Sequence, residues 1–380
     1  MEFFTKTQDI QRAIKLLSVV ARVNTASFEG RVLISADADG VKLLVNNGKT
    51  GMVHTIPAKV VDDGEVSVVY SKIRVFIMTF LPWDGTLGAE EFHFISDDSK
   101  MNIKTSTLHT NGMVAKSELK VDLIETESIP RIDAVESPNM ILNSSIIKTA
   151  VDKVLYAVAT KNSLIPYTMC ICMIFSDEFI KFVATNGRVL CEYKVKNDCN
   201  IKEGAYLLTH EFITGLRRII TDDVQLFWDV SDNAAKIDFD NTLFQGYIQR
   251  IDLKDEYPDY ERQFSLFETI VPIDRDVLLS GLQSFVDVLN SDDFHRVSLL
   301  IENNKLTLKT DNSHFELEDS SFPKDLHMAV DVSGKDMLST LQSISDSNIK
   351  LKFIDKSNGL VFESVGYDLQ KAYVVNLVRR

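Results

Sequence analysis

The chain has no unbroken apolar run of about 18 residues or more, the length a membrane-spanning helix needs, so no transmembrane segment is expected. Cysteine is scarce: Cys170, Cys172, Cys191 and Cys199 make four in 380 residues. That is too few for a disulfide framework of this size, and it fits a reducing compartment. Positive charge is short as well, with 41 Lys and Arg against 55 Asp and Glu, a net of −14. A general nucleic-acid surface is thereby excluded unless the cations are gathered in one place. The first residues, "MEFFTKTQDI", lack a basic start and an apolar stretch, so no secretory signal is expected.

Catalytic and metal-binding patterns are also missing. Gly48-Lys49-Thr50 looks like the end of a phosphate-binding loop, but that loop needs a glycine five residues before Gly48, and Leu43 stands there. The loop must also open a helix, whereas "MVHTIPAKVV" follows, with Pro57 and β-branched residues typical of a strand. A hairpin turn built on Asn-Gly is the expected structure, with Lys49 in solvent. Cys170 and Cys172 have strand spacing, which suits two small buried side chains better than a zinc site with a turn and two further ligands. His54, His93, His109, His210, His295, His314 and His327 are scattered, and none sits in a nucleophile motif. No catalytic residue, metal or cofactor is expected.

What the sequence does contain is repetition. Six amphipathic segments begin near Ser, Thr or Asp, which can cap a first turn: 7–23, 71–81, 144–161, 209–221, 274–290 and 333–346. Their spacing is nearly even. Between them lie alternating apolar runs with turn signals, read as antiparallel strands. At twice the period, "VKLLVNNGKTGMV", "IKFVATNGRVLCEY" and "KLTLKTDNSHFEL" repeat a strand-turn-strand pattern, with Asn47, Asn186 and Asp311 aligned. Proline and charge cluster in "ESIPRIDAVESPN" and "KDEYPDYERQF". The expected plan is α+β, with three similar domains at 1–132, 133–262 and 263–380. Each domain is built from two helix-plus-antiparallel-strand halves.

Three short motifs in order give this plan a family resemblance over essentially the full length. "FVATNGRVL" (182–190), "YPDYER" (257–262) and "AYVV" (372–375) resemble segments of the bacterial-type beta sliding clamps, the processivity subunits of DNA polymerase III. Asn186, Arg188-Val189 and the ending "NLVRR" depart from the usual pattern and mark a divergent member, for which a phage-encoded clamp or a second clamp is a fitting origin. The resemblance implies three DNA-clamp domains that close into a ring as a head-to-tail homodimer. Such a ring is non-catalytic, encircles double-stranded DNA, and tethers the replicative polymerase after a clamp loader has placed it. A cytoplasmic, nucleoid-associated location and no membrane partner are implied too.

The resemblance also carries residues. Thr185, Leu190, Pro258, Arg262, Gln263, Val374, Asn376 and Val378 match a cleft that takes partner peptides between the second and third domains, and Cys170 falls approximately at a cleft leucine. Gln263 and Asn376 make that cleft more polar than usual. Ile103, Val288 and Leu289 are the candidates for ring closure. Elementary electrostatics supplies a separate check, because helices facing DNA should be the more basic ones. The first four helical segments carry +2, +2, +2 and +1 within a chain of −14, and the last two carry −2 and −1. Arg12, Lys15, Arg22, Lys72, Arg74, Lys148, Lys153, Lys161, Arg217 and Arg218 are the candidate DNA-facing cations. Two rivals stand beside the clamp: a nucleotide hydrolase seeded by Gly48-Lys49-Thr50, and a repeat-built protein-interaction scaffold that does not encircle DNA.

Overall fold

The computed structural model describes the chain apart from residues 23–26, 81–85, 127–128, 161–162, 199–202, 266–268, 286–295, 319–321, 323–325, 354–358, 367–368 and 376–380, and apart from the side chains of 86 and 87. Six strand–helix steps recur along it. The strands Glu2–Lys6, Gly64–Val69, Met140–Asn143, Gly204–Thr209, Thr269–Asp274 and Met328–Ser333 each run directly into a helix. These helices are α1 (Thr7–Leu17), α2 (Tyr70–Thr79), α3 (Ser144–Val154), α4 (His210–Ile219), α5 (Arg275–Gln283) and α6 (Gly334–Ser343). All six coincide with the helical segments read from the sequence, but they are shorter at their C-terminal ends. Apolar periodicity continues past Leu17 into Val19 and Val20, yet the backbone there is a turn, with Val20 N–H donating to the Leu17 carbonyl. β-branched residues extend the apolar stripe without favouring the helix.

The expected caps are only partly present. Asp274 accepts from the backbone N–H groups of Asp276 and Val277, Ser333 accepts from Asp336, and Asn143 accepts from Ser145. The residues preceding α1 and α2 are Lys6 and Val69, and neither makes a side-chain cap. None of the described helices is long and apolar enough to cross a membrane.

Contacts divide the chain into two compact units, Met1–Ser145 with Glu211–Ile248, and Ile146–His210 with Gln249–Arg380. The first unit holds a five-stranded antiparallel sheet. Its order is Lys59–Asp62, Glu2–Lys6, Thr86–Ser96, Lys100–His109, Val114–Asp122. A second sheet runs Gly64–Val69, Arg31–Asp37, Gly40–Asn46, Thr50–Ile56, then the strand Thr242–Ile251, whose residues up to Ile248 belong here. Ala234–Phe239, Gln225–Val230 and Met140–Asn143 extend it from there. Helix α1 buries Ile10, Ala13, Ile14 and Leu17 and leaves Arg12 and Lys15 exposed, as its 3.6-residue period requires. Under α4, Phe212 stacks on Phe244 at 5.4 Å and meets Trp228 edge-on. Gly246 is what admits Phe212, since a Cβ there would lie 2.0 Å from the ring.

The second unit contains the strands Thr269–Asp274, Asn348–Phe353, Gly359–Ser364, Gln370–Val375, Val189–Lys196, Phe179–Thr185, Cys170–Phe175 and Gly204–Thr209, in that spatial order. A separate four-stranded sheet orders His314–Glu318, Lys305–Lys309, Arg296–Glu302 and Met328–Ser333. One apolar core joins α5 and α6 to these sheets through Leu278, Leu282, Met337, Leu341, Phe362 and Val374. The other face of the larger sheet carries a second cluster with Val183, Leu190, Val361 and Tyr373, covered by Tyr257 and Tyr260. The stretch 254–264, read from the sequence as a Pro-marked boundary, folds into the short helices Leu253–Glu256 and Tyr260–Ser265. Asp252 caps the first of them by accepting from Lys254 N–H.

Candidate functional site

The three turns found by repetition are equivalent in hydrogen bonding. Asn47 N–H donates to the Thr50 carbonyl, Asn186 N–H to Val189, and Thr310 N–H to Ser313. The Asn47 side-chain carbonyl accepts from Lys49 and Thr50 N–H, and that of Asn186 accepts from Arg188 and Val189. The Thr310 hydroxyl takes the same place in the third turn, accepting from Asn312 and Ser313. The sequence alignment of Asp311 with Asn47 and Asn186 is therefore one residue late; Thr310 is the true counterpart, because a threonine hydroxyl substitutes for an asparagine carbonyl in such turns. Gly48 and Gly187 have φ of +84° and +85°, the left-handed region their lack of a Cβ permits. The Gly48-Lys49-Thr50 stretch is thus a hairpin turn between the strands Gly40–Asn46 and Thr50–Ile56. Its backbone N–H groups are taken by asparagine side chains rather than turned toward an anion. Lys49 is mostly exposed and lies 3.5 Å from Glu211.

In the second unit the turn at 185–189 forms one wall of a cavity of about 330 Å³. Of the residues carried over by resemblance, Thr185, Leu190, Pro258 and Gln263 line it, joined by Tyr167, Arg188, Tyr260, Tyr373 and Val375. Three distant segments therefore converge, and the reason is the sheet. The strand Val189–Lys196 pairs with Gln370–Val375, placing Leu190 opposite Tyr373, and the helix Tyr260–Ser265 lies over that face. Val374 belongs to the opposite face and is fully buried in the α5/α6 core; successive side chains of a strand alternate, so Tyr373 and Val375 are what this strand presents to the cavity. Arg262 is exposed and does not line the cavity, while its backbone N–H donates to Asp259. Cys170 packs against the tyrosine cluster below the cavity, and burial pushes its thiol up to about 11. Asn376 and Val378 lie outside the described residues. The tyrosines Tyr167, Tyr257 and Tyr260 contact one another at 5.2 and 6.1 Å between rings, and no sequence period announced this aromatic floor.

Arg188 anchors the turn to α6. Its guanidinium Nε donates to Asp336 at 2.9 Å, and burial with this pairing leaves Asp336 only 11% exposed at its side chain. Asp336 in turn raises the basicity of Arg188. At the far end of α6, the Lys153 ammonium donates to the Ser343 carbonyl and the Ser345 hydroxyl, each at 2.6 Å. A cation there meets the negative end of the helix. Lys153 is consequently buried, which removes it from the exposed cations the sequence suggested for DNA.

The remaining candidate cations divide clearly. Arg12, Lys15, Arg22, Lys72, Arg74 and Arg218 are exposed, Lys148 and Arg217 are half-buried, and Lys161 lies outside the described residues. Arg12 pairs with Asp240 at 2.6 Å and Arg22 with Glu29 at 3.2 Å, so part of the helical charge is balanced locally. Beside Arg12, burial first and the guanidinium second depress His54 to about 4, so that it is neutral at pH 7 while its Nδ1 lies 2.8 Å from the Thr242 hydroxyl. Ile103 is fully buried in an interior strand, so it presents no surface for closure. The edges of that sheet are instead the largely exposed strands Val114–Asp122 and Lys59–Asp62. Val288 and Leu289 lie outside the described residues. Among the described residues no group of His, Cys, Asp and Glu is arranged to hold a metal.

No family model matches the chain. One curated relative does: the "Beta sliding clamp" of Buchnera aphidicola subsp. Rhopalosiphum padi is 23% identical over 248 residues, a stretch spanning 64% of this chain and 66% of that protein. Solved structures match throughout. The DNA polymerase III subunit beta of Pseudomonas aeruginosa superposes with a TM-score of 0.84 at 15% identity, covering 100% of both chains. The beta subunit of Streptococcus pyogenes DNA polymerase gives 0.84 at 15%, and the DNA polymerase sliding clamp of Bacillus subtilis gives 0.85 at 13%, again with 100% coverage of each. The fold is thus that of the DNA polymerase clamps. In sequence the chain is similar to the Buchnera beta sliding clamp over about two thirds of each protein, and in fold it is similar to the solved clamps over its full length.

Proposed function

We propose that two copies of this chain join head to tail into a ring that encircles duplex DNA, and that the ring tethers a replicative polymerase for processive synthesis. The observation that carries the reading is the cavity at Thr185, Leu190, Pro258 and Gln263, formed within a clamp fold that matches over the full chain. A clamp must hold its partners without holding a DNA sequence. Contacts to DNA are then loose and directed to phosphates, since base contacts would stop sliding. The exposed cations of α1, α2 and α4, with Lys148 on α3, suit that role. The acidic remainder discourages binding outside the ring. Retention comes from topology, and tethering raises the effective concentration of a weakly held polymerase at the primer end.

The threefold division at 1–132, 133–262 and 263–380, the peptide-binding use of the cavity and the clamp loader as a partner belong to the same proposal. So does closure through sheet edges, for which the exposed strands Val114–Asp122 and His314–Glu318 are the candidates. Dimeric assembly, loading by a cognate loader, trapping on nicked circular DNA and release when that DNA is linearised form the test. A protein that sediments as a dimer yet never becomes trapped is a scaffold and not a clamp.

A further inference from the structure

The turn that walls the cavity has a counterpart in the first unit, and so has the segment that covers it. Asn47 N–H donates to the Thr50 carbonyl as Asn186 N–H does to Val189, so Thr50 corresponds to Val189 and Gly51 to Leu190. The two strands that follow are paired alike, with Gly51 opposite Gln245 and Leu190 opposite Tyr373. The covering segments share a pattern, Ile129-Pro130-Arg131-Ile132 in the first unit and Tyr257-Pro258-Asp259-Tyr260 in the second. Ile129 and Tyr257, which open them, are both buried.

The two joints differ at the wall. In the second unit Leu190 and Tyr260 both line the cavity. In the first unit the wall has no side chain at Gly51, and a Cβ there would lie 2.6 Å from Cδ1 of Ile132. Ile132 thus takes the place that corresponds to the Leu190 side chain, and it packs against the buried cluster of Leu33, Leu44 and Ile129. The segment is tied down on either side of this contact. Asn46 donates its side-chain N–H to the Pro130 carbonyl at 3.2 Å, and Asp133 lies 3.9 Å from Lys236. Arg131 meets the Glu65 carboxylate through two hydrogen bonds of 2.5 and 2.6 Å.

Resting on the reading of the cavity as a peptide-docking site, we infer that the groove over Gly51 is a second docking site of the same construction, occupied in cis by residues 129–133 with Ile132 as the anchor. The ligand class it takes is a short segment with an apolar anchor next to a cation, which is what Ile132 and Arg131 present to Gly51 and Glu65. A tethered occupant has an effective concentration of about millimolar, so it excludes a free segment of similar affinity at micromolar concentration. Each chain therefore offers one docking site and keeps a second one closed, and Ile132 sets that number.

The probe for the test is a fluorescein-labelled peptide of residues 129–135, read by anisotropy, with calorimetry on the unlabelled peptide for stoichiometry. Full-length chains are compared, all carrying Leu190→Asp to silence the cavity. The parent, with its groove filled, is expected to bind weakly. Arg131→Ala with Ile132→Ala vacates the groove and is expected to bind one peptide per chain, at least about tenfold more tightly. Adding Gly51→Leu blocks the vacated place and removes the gain. Equal binding by the parent and the vacated chain, or a gain that survives Gly51→Leu, overturns the self-occupied site and leaves the cavity reading standing. A gain seen with Leu190 intact and lost with Leu190→Asp places the probe in the cavity and overturns it too. Circular dichroism establishes that each variant is folded. A second measurement needs neither peptide nor Leu190→Asp. Gly51→Leu alone should lower the urea midpoint, because the new side chain meets Ile132, and adding Ile132→Ala should recover about half of the loss or more. If the second change recovers nothing, Ile132 does not occupy the leucine's place and the inference falls.

Discussion

His54 shows how far a single residue departs from its sequence reading. As one of seven scattered histidines it carried no signal. In the fold it is buried beside Arg12 and its proton affinity drops from 6.5 to about 4. The sign is fixed by comparing states. Below pH 6.5 the unfolded chain takes up a proton that the folded chain refuses until about pH 4, so stability is full above 6.5 and falls as pH drops through this window. His54→Gln is expected to flatten the loss, on the order of 2–3 kcal/mol, in urea melts taken between pH 7 and pH 4.5. In the cavity, Gln263 is exposed among tyrosines. Gln263→Leu should tighten an apolar partner peptide about threefold to tenfold, and Leu190→Asp should weaken it by at least about tenfold, both read by fluorescence anisotropy. Binding indifferent to both changes would remove the cavity from the peptide-docking proposal.

At the scale of elements, helix positions were legible and helix ends were not. Apolar residues at helical spacing are enough to locate α1 and α4, because burial of one face drives them. Their C-terminal ends depend on where the chain must turn to reach the next strand. Turn identity was legible too, although the third copy was aligned one residue late because Thr310 does the work of an asparagine. The close approach of Gly246 to Phe212 had no sequence signal whatever. Gly246→Ala is expected to cost about 1–3 kcal/mol in urea unfolding, since a Cβ at 2.0 Å must push the ring aside. An unchanged midpoint would mean that Phe212 has room to move. Ser333 is the side-chain cap of α6, and Ser333→Ala should cost about 1 kcal/mol in the same measurement.

For the molecule as a whole, the fold class and the repetition were visible in the sequence, because each is a sum over many weak local preferences. The solution mass is expected near twice 42.9 kDa at micromolar concentration. Retention on circular DNA should be weakened by Lys15→Glu with Arg218→Glu, while the polymerase-peptide affinity stays the same. The first change acts on phosphate contacts and the second quantity belongs to the cavity. A variant that loses both has been damaged in its fold.

Sequence alone determined the α+β architecture, the six helices, the three turns and the clamp resemblance, since periodicity and turn chemistry are local properties. Only the tertiary structure decided which side of a strand each motif residue occupies. Val374 went to the core and Tyr373 to the cavity, because pairing register and sheet stacking fix a face that a tetrapeptide match cannot. It likewise decided which cations remain in solvent. Lys153 was one of ten candidate DNA-facing cations, and it is buried at the end of α6 because the Ser343 carbonyl, 190 residues away in the chain, needs a donor.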